Sequence, residues 1–117
     1  MIDMRQPIWA VTPAKVERVI KKIVEVSQPR KLILFGSYVN GKVGPDSDLD
    51  ILVVTGDEVK HSRKESVRIR RALRDILMAM DILVITQTRF QKLKDTSGLI
   101  YREALKNGQI VYESTKP

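Results

Sequence analysis

Two aspartates one residue apart, Asp48 and Asp50, open the apolar run Ile51-Leu52-Val53-Val54. Residues i and i+2 of a strand point to one face, so both carboxylates project together, with Cα atoms roughly 6.5–7 Å apart. Oxygens at that separation can converge on one hard cation; without a cation they repel. Upstream, Leu32-Ile33-Leu34-Phe35 ends in Gly36-Ser37, and ten residues separate Ser37 from Asp48. Gly36 admits close backbone approach and unusual dihedrals. Ser37 places a hydroxyl at the expected start of a short helix, where free N–H groups favour anions such as phosphate. A phosphate-holding turn beside a cation-holding carboxylate pair is the equipment for chemistry on a nucleoside triphosphate with Mg²⁺.

Other polar residues bear on this site. Asp81 lies one residue into the apolar run Met80–Ile85, where a charge needs a reason. Leu83 and Ile85 share its parity, so Asp81 belongs at the start of that strand, near the surface. Lys42 follows in the loop after Ser37 and is within reach of a phosphate, although a solvated loop lysine is the simpler reading. His61 has no partner in the sequence for metal or acid–base work.

Gly36-Ser37, ten residues, then Asp48-x-Asp50 resembles the signature of the DNA polymerase β-like nucleotidyltransferase superfamily. The short chain resembles its minimal nucleotidyltransferase branch, many of whose members are antitoxins paired with a HEPN-domain toxin. The resemblance implies an α/β (α+β) fold, a small mixed sheet flanked by helices. It implies that Asp48, Asp50 and Asp81 are catalytic and bind two Mg²⁺ ions. Gly36 and Ser37, with Lys42 beside them, would hold the phosphates of ATP. It also implies transfer of AMP to a hydroxyl of a HEPN partner in a type VII-like toxin–antitoxin system, with pyrophosphate leaving. A hetero-oligomer with that partner is expected, and a homodimer in its absence. Two other readings stay open: a binding module that neutralises its partner by contact, and a small-molecule nucleotidyltransferase. Clustered carboxylates argue against the first, and the lack of an added acceptor-binding domain argues against the second.

The elements that must position these residues are legible from periodicity. Thr12-Pro13 is a helix start, with Val16, Val19, Ile20, Ile23 and Val24 at helical spacing up to Ser27-Gln28-Pro29. Lys31–Phe35 and Asp50–Val54 read as buried strands. Glu58 to about Met78 reads as the longest helix, Met80–Ile85 as a third strand, and Thr86 or Thr88 as the cap of a helix to about Lys94. Leu99–Lys106 reads as a short helix ended by Asn107-Gly108, and Gln109–Tyr112 as an edge strand. Residues 1–12 are expected to be irregular, with Trp9 folding back on the domain.

Composition bounds the remainder. The 117 residues make one expected domain, 1–117. With no cysteine, disulfides and zinc–thiolate sites are excluded. No apolar run approaches a membrane span and no signal-peptide layout opens the chain, so a cytoplasmic location is the expectation. The net charge of +7 favours anionic partners. Lys60, Arg63, Lys64, Arg68, Arg70, Arg71 and Arg74 gather on the long helix. A solvated face, contact with nucleic acid and docking to an acidic protein all remain open for it; nucleic acid is not the favoured partner, since aromatic interleaving is missing.

Overall fold

Thr12 and Pro13 start the first helix by separate means. The Thr12 hydroxyl accepts a hydrogen bond from the Lys15 backbone N–H at 3.2 Å. Pro13 fills a first-turn position where a missing N–H costs nothing. In the computed structural model, which describes residues 8–41 and 48–114, α1 runs Pro13–Ser27 and stops where Gln28 turns to a left-handed φ of 47°. Then come β1 (Lys31–Phe35), β2 (Leu49–Thr55), α2 (Ser62–Ala72), β3 (Met80–Thr86), α3 (Gln87–Leu93), α4 (Ile100–Asn107) and β4 (Gln109–Glu113).

The sheet order is β3-β2-β1-β4. Strand β1 is antiparallel to both neighbours, while β2 and β3 run parallel. The parallel pair needs a crossover, which α2 provides. The result is the mixed α+β sheet expected from the sequence. Strand parity divides the core in two. Leu32, Leu34, Leu49, Ile51 and Val53 face α1 and α2 through Val19, Ile23 and Ile69. Ile33, Phe35, Leu52, Val54 and Ile85 face Phe90 of α3 and Ala104 of α4. Asp50 shares the parity of Leu52 and Val54, so it belongs to the α3/α4 side, and it is half-buried there.

Helix α1 is tied to α2 by a polar clamp inside this packing. Arg68 donates from Nε to Glu65 Oε1 at 2.8 Å and from Nη2 to Oε2 at 2.9 Å. The Ser27 hydroxyl donates to the same Oε2 at 2.6 Å, and Arg68 Nη2 also reaches the Val26 carbonyl at 2.8 Å. Glu65 is buried and every contact it makes is charge-assisted or short, which is what a buried carboxylate requires.

Three expectations are corrected. The helix expected from Glu58 to Met78 is only Ser62–Ala72. At its front, Asp57 is drawn away to receive the Thr88 N–H at 3.1 Å, and Val59 N–H turns back to the Gly56 carbonyl. At its end, the Leu73 N–H is shared between the Ile69 and Arg70 carbonyls, a tightened last turn that redirects the chain toward β3. The helix expected at Ser37 is a single turn, closed by Asn40 N–H on the Gly36 carbonyl at 3.1 Å. Trp9 folds back through its backbone, whose carbonyl accepts from Ala79 N–H at 2.9 Å, but the residue stays exposed. Among the described residues no helix is long and apolar enough to cross a membrane.

Candidate active site

Asp50 is the centre of the site because of where β2 lies. The antiparallel register sets Phe35 of β1 opposite Asp50, and the parallel register sets Asp81 of β3 opposite it on the other side. Adjacent strands lie about 4.8 Å apart, so Asp50 and Asp81 are lateral neighbours. Asp48 comes one residue before β2 and is exposed, Asp81 is exposed, and Asp50 is half-buried. The parallel register therefore sets Asp50 and Asp81 side by side at one end of the sheet, its mouth, and Asp48 precedes β2 by one residue.

Gly36 fits under Asp50 as no other residue could. A Cβ on Gly36 would stand 2.1 Å from Asp50 Oδ2, and its φ of +90° is left-handed. The glycine thus serves two needs: the turn out of β1 and the close approach of a carboxylate to backbone. Ser37 begins the turn, and its hydroxyl donates to the Asp48 carbonyl at 3.5 Å, a long contact across the gap. Lys42 lies outside the described residues, as does the rest of the loop to residue 47.

The electrostatics of the mouth are uneven. Burial pushes the Asp50 carboxyl above its ordinary value, and the charges of Asp81 and then Asp48 push it further. Asp81 has a counter-charge that the sequence did not suggest. Arg70 leans over the free edge of β3, with Nη2 3.6 Å from Asp81 Oδ1 and 3.2 Å from the Ile82 carbonyl. Its Nε donates to the Ser66 hydroxyl at 3.4 Å, which steadies the guanidinium. Arg70 and Asp81 are eleven positions apart on different elements, so no local spacing announced the pair.

The family model for polymerase β nucleotidyltransferases matches residues 17–117. The chain belongs to the polymerase β nucleotidyltransferase family. Similar folds occur in two solved structures. One is a toxin–antitoxin crystallised with AMP-PNP, 21% identical, TM-score 0.54, covering 85% of this chain and 74% of the other. The second is a mutant of the toxin–antitoxin MntA–HpeT, 18% identical, TM-score 0.51, covering 90% and 75%. No curated protein matches the sequence.

Within this nucleotidyltransferase fold, the donors at the mouth suit a hard divalent cation. They are all carboxylate oxygens, the ligand type that Mg²⁺ takes. The crowding that raises Asp50 is also what a cation among the three acids would relieve. Among the described residues no three acidic or histidine side chains stand together in a metal-holding arrangement. Asp81 is engaged by Arg70 instead. His61 precedes α2 as an exposed residue without a side-chain capping bond.

Proposed function

We propose that the chain transfers AMP from ATP to a hydroxyl of a partner protein, as the antitoxin of a pair whose toxin is of the HEPN class. One observation carries the reading: the β1–β2–β3 register that gathers Asp81, Asp50 and the backbone of Gly36 in a family of nucleotidyltransferases. The two similar folds supply the toxin–antitoxin context, and one of them was crystallised with AMP-PNP. In the reaction, the acceptor hydroxyl releases its proton to solvent, its oxygen forms a bond to the α-phosphorus, the bond from that phosphorus to the bridging oxygen breaks, and pyrophosphate departs. The Gly36-Ser37 turn would hold the triphosphate tail, with Lys42 beside it. Asp48 and Asp50 would hold Mg²⁺, and Asp81 would complete the set and orient the acceptor hydroxyl. Bound Mg²⁺ would supply charge stabilisation of the attacking and leaving oxygens.

The Arg70–Asp81 pair favours one rival, neutralisation of the toxin by contact alone. Incubation with α-labelled ATP, Mg²⁺ and a HEPN-class partner separates the two. Label on the partner is the expected result; a tight complex without label supports the rival. A folded sample that binds neither ATP nor Mg²⁺ overturns the enzymatic reading.

A further inference from the structure

The outward face of α2 has no role in the site above, and its charge is uncompensated. Arg63, Val67 and Arg71 recur at i, i+4 and i+8, flanked by Lys64 and by Arg74 in the turn that follows. Glu65, Ile69 and Leu73 are buried on the opposite side. Three acids on or beside α2 are already paired elsewhere: Glu65 with Arg68, Asp75 with Arg18 and Lys22, Asp81 with Arg70. Among the described residues, Arg63, Lys64, Arg71 and Arg74 make no side-chain hydrogen bond or ion pair. Three of these free cations, Arg63, Lys64 and Arg71, lie on α2 and border a shallow groove of about 540 Å³ over Val67, and Arg74 follows in the turn beyond the helix.

We propose that this face binds the phosphate backbone of double-stranded DNA without reading sequence. A protein partner fits it poorly. Protein interfaces are depleted of charge at their centre and anchored by aromatic residues, whereas only Val67 is apolar here and it is ringed by cations. A single strand fits poorly too, because it is held by stacking on aromatic side chains, which α2 lacks. Duplex RNA is read largely by its shape over about 16 base pairs and two successive minor grooves, a far longer track than the cationic face of α2 offers. Cations directed at phosphates need none of these features. Arg63 and Arg71 stand about 12 Å apart along the axis, the rise of three to four phosphates on one strand.

Fluorescence anisotropy of a labelled 20-base-pair DNA duplex of arbitrary sequence, titrated from 50 to 200 mM KCl, tests this. Four phosphate contacts give a slope of log affinity against log salt of about −3.6, a loss of about 150-fold over that range. The quadruple variant Arg63→Gln, Lys64→Gln, Arg71→Gln, Arg74→Gln loses nearly all binding, and Arg71→Gln alone makes the slope shallower by about 0.9. Circular dichroism melting shows that these exposed changes leave the fold intact. A control with the same net charge, Arg89→Gln, Lys92→Gln, Arg102→Gln, Lys106→Gln, binds as the parent does. The proposal fails if the parent does not bind the duplex at 50 mM KCl, or if the control weakens binding as much as the α2 variant. Tighter binding of the matching RNA duplex, or of a poly-glutamate peptide, overturns it as well.

Discussion

Two carboxylates of this chain are drawn partly or wholly out of water, and the fold treats them in opposite ways. Glu65, between α1 and α2, receives two hydrogen bonds from Arg68 and one from Ser27. Hydrogen bonding by Arg68 outweighs burial, helped by Ser27 and the Arg68 charge, and its carboxyl is held below the usual range. Asp50, at the mouth of the sheet, is pushed above the usual range by burial and by two further carboxylates. A charge that serves packing is satisfied within the fold. A charge crowded by others of its own sign is left for something from outside to satisfy, and such perturbed groups concentrate at functional sites.

The sharpest break of this contrast is Asp50→Asn. Transfer of label from ATP to the partner should fall by about 10²- to 10³-fold, the scale expected when a charge-stabilising group is lost from a preorganised site. Stability should move the other way. Because the folded carboxyl is raised, the native state binds more protons than the unfolded chain between the ordinary aspartate value and the raised one. Ionisation of Asp50 therefore weakens the fold as pH rises through that window. The melting temperature of Asp50→Asn at neutral pH should equal or slightly exceed that of the parent. Gly36→Ala comes next. Its Cβ would meet Asp50 Oδ2, and alanine resists a φ of +90°. Displacing the carboxylate by about an ångström costs about 10²-fold in turnover, and thermal unfolding should report a loss of about 2 kcal/mol.

Glu65→Gln breaks the other half. The charge-assisted bonds to Arg68 and Ser27 weaken together, for a loss of about 2 kcal/mol in a denaturant titration, with turnover unchanged. The sign with pH is opposite to that of Asp50. A carboxyl lowered on folding stabilises the native state fully above the ordinary glutamate value, and that contribution is lost as pH falls through the folded value. Parent and variant stabilities should therefore converge under acidic conditions; a gap that persisted there would mean that packing, not charge, sets the role of Glu65.

The contrast also marks what the sequence could say. The strand of Lys31–Phe35, the parity of Leu52 and Val54 with Asp50, and the placement of Asp81 at a strand start followed from period-two patterning and were met in the structure. What depended on contacts between distant elements did not. Periodicity extended α2 through residues 58–61, because nothing local showed that Asp57 would be claimed by Thr88. Gly36 was visible as a permissive residue, yet the carboxylate resting on it was not. Arg70 was one of seven basic residues on a helix until the sheet edge brought Asp81 to it.

Arg70 supplies the finest test, because its guanidinium is paired with an acid of the candidate site. Its pair with Asp81 is largely solvated, at 47% and 73% side-chain exposure, so Arg70→Met should change stability by less than about 1 kcal/mol. The informative readout is elsewhere. With the guanidinium gone, Asp81 keeps its place beside Asp50 through the β2–β3 register but loses its counter-charge. Binding of Mn²⁺ to the nucleotide-free protein, followed by electron paramagnetic resonance, should then tighten several-fold, since the ion no longer competes with an arginine for Asp81. Arg70→Lys, which keeps the charge, should stay near the parent. If Mn²⁺ binding is the same in all three proteins, Arg70 is only an edge clasp for β3, and the charge balance of the mouth rests on Asp48 and Asp50 alone.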